Sequence, residues 1–132
     1  MASLVLGEFA RNALCANTGL NGLLSNCTMQ TRTGAAAGPA NAAGGTLLVT
    51  HTLPPAANNT AANGVVTLGT IANANGAANG DAGHVRILSG ADVVAEGDCG
   101  TSGNTVVFDN ISIATNQVVS ISSANFTVPA GT

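Results

Sequence analysis

No tryptophan, tyrosine or lysine occurs in these 132 residues, and three phenylalanines supply all the aromatic bulk. Sugars and unpaired bases are gripped by stacking on aromatic rings, so the shortage argues against both as ligands. Cations are as scarce: Arg11, Arg32 and Arg86 stand against six carboxylates, for a formal net charge of −3. A phosphate backbone needs several cations on one face, so no nucleic acid is expected as a partner. Without lysine there is no Gly-Lys-Ser/Thr phosphate loop. Low charge is also a membrane signature, yet no apolar run approaches the ~20 residues that span a bilayer, so no membrane partner is expected.

Three cysteines, Cys15, Cys27 and Cys99, cannot all pair, and none has metal-ligand spacing. They read as reduced, half-buried thiols of a chain made in the cytosol. The N-terminus lacks a basic region and its apolar run at residues 4–6 is cut short by Glu8, so no signal peptide is expected.

What the chain does have is small residues: 17 glycines among many Ala, Asn, Thr and Ser. One domain of this length can bury roughly two-thirds of its unfolded surface. A surface of hydroxyls, amides and methyls with little net charge gives a lone subunit poor colloidal protection, which suits a permanent assembly.

Residues 3–16 carry the one clear helical period, with Leu6, Phe9, Ala10, Ala13 and Leu14 in a single stripe. Leu20, Leu23 and Leu24 add a second short helical turn. Residues 1–26 thus form a helical arm, packed on its own domain or inserted into a neighbour, with the first favoured. If the stripe is core, Phe9→Ala costs roughly 3–5 kcal/mol.

From Cys27 the pattern turns to strands, over residues 27–33, 46–53, 64–71, 104–109, 111–114 and 118–128, the last with a bulge near 123–125. Residues 34–45 and 72–83 hold almost no apolar volume and are expected as irregular, mobile contact loops. Asn-Gly at 63–64, 75–76 and 79–80 suits type I′ turns. Roughly seven to nine short strands over 27–132 predict an antiparallel β-sandwich or jelly roll with an N-terminal α-helix.

The stretch that organises this domain is the hairpin 84–88 and 93–99. A three-residue loop, Gly90-Ala91-Asp92, sets Leu88 opposite Val94, Arg86 opposite Glu96 and His84 opposite Asp98. All charge then falls on one face, whereas a one-residue slip mixes the faces. On an exposed face the Arg86–Glu96 pair is worth about 0.2–1 kcal/mol, whereas if another subunit or a second copy covers that face, losing one partner leaves a buried charge and costs several kcal/mol.

Chemistry is sparse. His51 sits alone in a Thr-rich strand. His84 with Asp98 makes two parts of a triad without a nucleophile elbow. Asp92, Glu96, Asp98 and Asp109 lack calcium-loop spacing. The four Asn-X-Ser/Thr matches are those chance provides in such a composition. No catalytic, cofactor or metal residue is assigned and no enzyme is expected; the residues singled out are structural: Leu6, Phe9, Leu14, Arg86 and Glu96.

In order, the chain carries LGEFARNALCANTGLNGLL, TRTGAAAGPANAAGGTLLVTHTL, AANGVVTLGTIANANGAANGDAGHVRILSGADVVAEGDCGTSG and VSISSANFTVP. This set resembles small virion structural proteins of tailed bacteriophages, which share an ARNAL-like helix, an RTG…PA…GTLL segment and a hairpin ending in GTSG. The resemblance implies a capsid cement or decoration protein. It would lie on the outer surface of the virion as a homodimer or homotrimer bound to the major capsid protein. The alternative is a head-fibre or tail-associated β module that binds a host surface receptor.

Overall fold

A computed structural model describes residues 4–10 and 19–127; the sequence-predicted helix positions Arg11, Ala13 and Leu14 lie outside the described residues. The chain is mainly β. In chain order the described elements are β1 (Leu4–Leu6), α1 (Leu20–Leu24), β2 (Thr28–Arg32), β3 (Leu47–Thr52), a 3-10 turn (Ala56–Asn58), β4 (Thr60–Ala62), β5 (Val65–Thr67), β6 (Ala74–Asn75), β7 (Gly80–Asp81), β8 (His84–Ser89), β9 (Asp92–Gly100), β10 (Val106–Phe108), β11 (Ser112–Ile113), β12 (Val118–Val119) and β13 (Ile121–Thr127).

The ladders form a nine-stranded sheet in the order β3-β2-β8-β9-β10-β13-β5-β4, with β1 added on β9, and two small sheets, β7–β11 and β6–β12. Every pairing is antiparallel except β9–β10, which sets Val106 beside Cys99 in parallel. Asp98 makes that reversal possible. Its carboxylate accepts the Thr105 amide at 3.0 Å, the Thr105 hydroxyl at 2.6 Å and the Asn104 amide at 3.1 Å, drawing the chain back to restart beside β9.

The predicted helix over 3–16 is corrected at its start. Leu4, Val5 and Leu6 pair with Gly97, Glu96 and Ala95 of β9, and helical backbone begins only at Glu8. An apolar Leu-Val-Leu run fits a sheet edge as readily as a helix face, and a free stretch of β9 settles the choice. Gly7 makes the close approach possible: its amide donates to the Val94 carbonyl at 2.9 Å, and a Cβ there would lie 2.6 Å from the Val93 carbonyl oxygen.

The central hairpin keeps the pairs Arg86–Glu96 and His84–Asp98, but Leu88 faces Val93 rather than Val94. Val94 is the extra residue of a bulge, so Val94 and Ala95 are both fully buried. The turn is therefore two residues, Gly90-Ala91, with Gly90 at φ 63°, the glycine position of a II′ turn. Only Asn63-Gly64 makes a type I′ turn, at φ 54° and 77°, between β4 and β5. The Asn-Gly pairs at 75–76 and 79–80 instead lie in and beside β6 and β7, which pair with distant strands. On β13 the bulge falls at Ser122, since Val107 faces Ser123 while Phe108 faces Ile121.

Buried apolar side chains form one cluster, which takes in Leu20, Leu23 and Leu24 of α1. The sheet curls around it. His51 on β3 lies against Phe108 on β10 with ring centroids 6.3 Å apart, although the two strands are four places apart in the ladder. One row across five strands, Leu6, Ala95, Ile87, Met29 and His51, faces this core; the adjacent row, Val5, Glu96, Arg86, Gln30 and Thr50, faces away from it.

A candidate docking surface

The outward face is polar at its centre, and the charged groups there are not wet. His84, Arg86 and Glu96 are 2%, 5% and 1% exposed. Arg86 Nη1 donates to Glu96 Oε2 at 2.8 Å. What excludes water is residues 34–45, expected as a mobile loop, which lie across this face as a strap.

The strap is fastened along its length. The Gly34 carbonyl can only accept, so His84 Nδ1–H donates to it, at 2.9 Å. The Gly38 amide donates to Glu96 Oε1 at 2.7 Å, and Arg86 Nη2 donates to the Asn41 carbonyl at 2.7 Å. At the far end Arg32 Nη1 reaches the carbonyls of Gly44 and Gly45 at 3.4 and 3.3 Å. All these contacts engage the strap's backbone. Its alanines are therefore free to point outward, and Ala35, Ala36, Ala37, Ala40, Ala42 and Ala43 are exposed.

Charge is sorted by the same arrangement. Arg86 is buried under the strap and Arg32 is half-buried against its end, while Glu8, Asp81, Asp92 and Asp109 are exposed. Among the described residues, the fully exposed charges are all acidic. Large exposed apolar side chains are few: Val5 at 53%, Phe9 at 40% and Val118 at 60%. Two of them border the strap. Val5 and Ala36 line a shallow cleft of about 190 Å³ that also reaches His84 and Asp98. Phe9 lies in a larger one of about 490 Å³ between the N-terminal segment, Pro39-Ala40 and the hairpin tip.

Of the residues expected to matter, Arg86 and Glu96 are paired as predicted, in burial the composition did not announce. Leu6 is half-buried against the core. Phe9, expected in the apolar stripe of the core, is 40% exposed instead, because the strand at Leu4–Leu6 changes the phase at which the helix begins. Leu14 lies outside the described residues. Sequence reasoning missed the strap; its signal was the glycine spacing, with Gly34, Gly38 and Gly45 at φ 76°, 103° and 68°, a fixed path rather than a free one.

His51 and Cys27 are occupied in holding backbone. His51 is 1% exposed and its Nε2–H donates to the Val119 carbonyl at 3.1 Å; burial lowers its pKa from 6.5, against the smaller opposing effect of that bond. The thiol of Cys27 donates to the Leu23 carbonyl and burial raises its pKa; burial and the neighbouring Asp98 push that of Cys99 up to about 11. Among the described residues no group of three His, Cys, Asp or Glu is placed to hold a metal ion, and no helix is long and apolar enough to cross a membrane.

No family model, curated protein or solved structure matches this chain.

Proposed function

We propose that the chain is a structural virion protein, a capsid cement or decoration protein that binds the major capsid protein lattice from outside and stabilises it. It is made in the host cytoplasm and acts as a homodimer or homotrimer with neither cofactor nor catalysis. The curled sheet around one core is read as its sandwich-like or jelly-roll body.

The observation that carries this reading is the strap. A neutral, alanine-faced surface is held rigid from beneath by a buried ion pair and backbone hydrogen bonds. Alanine loses no rotamer entropy on contact, and a pre-ordered loop loses little backbone entropy, so such a face docks at low cost. A protein that binds only the expanded shell stabilises that state by mass action, and many copies add weak contacts.

Electron microscopy of purified virions, with the chain identified by mass spectrometry, tests the proposal. Density repeated over the whole shell is the expected result. Density at one vertex or on the tail would favour the receptor-binding alternative, and absence from the particle would overturn both.

A further inference from the structure

The larger cleft beside the strap combines apolar and acidic groups: Leu6, Phe9, Pro39 and Val93 line it together with Glu8 and Asp92, both exposed. Its volume of about 490 Å³ exceeds that of any single side chain, and it is open to solvent. No cation among the described residues lines the cleft.

Apolar and anionic lining together select the occupant. We infer that the cleft seats a segment of the shell subunit that carries an apolar side chain next to a lysine or arginine. The apolar group displaces water from Phe9 and Leu6, and the cation meets Glu8 and Asp92. This rests on the capsid-binding reading above and adds the chemistry of the contact. An acidic or wholly neutral segment would leave two carboxylates desolvated without a partner, which disfavours it.

Two measurements test the inference separately from that reading. In the first, ¹⁵N-labelled chain is titrated with the peptide acetyl-Gly-Leu-Lys-Arg-Gly-amide and, in parallel, with acetyl-Gly-Leu-Glu-Glu-Gly-amide. The basic peptide should shift the amides of Gly7, Ala40, Ala91 and Val93 at millimolar concentration, and the acidic one should not. Equal responses, or none to either, overturn the inference whatever the chain does on virions. In the second, binding to purified expanded shells is measured for wild type, Glu8→Lys, Asp92→Lys and the distant exposed control Asp81→Lys. The cleft reversals should weaken binding about tenfold at low salt and flatten its salt dependence, while the control binds as wild type. Cleft reversals that bind like wild type, or a control that weakens equally, overturn the inference. Peptide shifts without any shell binding would reject the capsid reading and leave the cleft as a site for basic, apolar-anchored segments.

Discussion

Arg86 and Glu96 are the residues on which most depends. Both are buried, 2.8 Å apart, and each spends a second hydrogen-bonding group on the strap. Removing one leaves the other as an unpaired buried charge, so Arg86→Met and Glu96→Ala should each cost about 3–5 kcal/mol, read from urea unfolding. The double variant should lose clearly less than the sum, because the second substitution removes the stranded charge. Phe9 moves the other way. At 40% exposure its truncation to alanine should cost about 1 kcal/mol, well under the core-sized loss implied by its helical spacing. His51 supplies the pH dependence. Its folded pKa lies below 6.5, so the unfolded chain takes up the proton first as pH falls. Its contribution is intact above about pH 6.5 and is lost below it, down through the folded pKa. Unfolding midpoints between pH 7.5 and 5.5 should fall for wild type and fall less for His51→Gln.

At the scale of the element, the strap is the part whose behaviour separates the sequence reading from the structure. A glycine- and alanine-rich loop has no core of its own, and read alone it is mobile. Its order comes from the sheet beneath. The Gly38 amide, bonded to Glu96 Oε1 at 2.7 Å, should therefore exchange slowly with solvent deuterium. In Arg86→Met combined with Glu96→Leu, two apolar groups replace the pair and global stability stays near wild type. Gly38 should then exchange rapidly while the amides of β2 and β8 remain protected. Slow exchange at Gly38 in that variant would show that the strap is held without the ion pair. The bulge at Val94 is the other element-scale device: it buries two consecutive residues and aims the Val94 carbonyl at Gly7, which fastens the N-terminal strand.

For the whole molecule, the single core cluster joins α1 to strands of the long sheet from β3 at one end to β5, next to the other. Leu24 in α1 and Phe126 in β13 are both fully buried. Leu24→Ala and Phe126→Ala should each lower the midpoint of one common transition, by about 2–5 kcal/mol in stability. Coincident traces from circular dichroism and from amide exchange check this. A separate early transition in Leu24→Ala would mean that the helical segment is an independent unit.

Much of this was legible in the residues. Thr-rich alternation located β2 and β3, and turn chemistry located Asn63-Gly64. Charge placement alone chose the register that sets Arg86 against Glu96 and His84 against Asp98. These follow from local stereochemistry and the two-residue period of a strand, which neighbours cannot change. Three matters lay beyond it. Leu4–Leu6 became a strand because β9 offered an open edge, β10 ran parallel because Asp98 folds the chain back, and the charged pair of the polar row was buried because a loop from between β2 and β3 lies over it. Each joins residues far apart in the chain, and a local pattern states what a segment can do without stating which distant partner reaches it first. The polar row shows this most plainly: strand alternation placed its charges on one face, and only tertiary packing decided that those charges are closed to water.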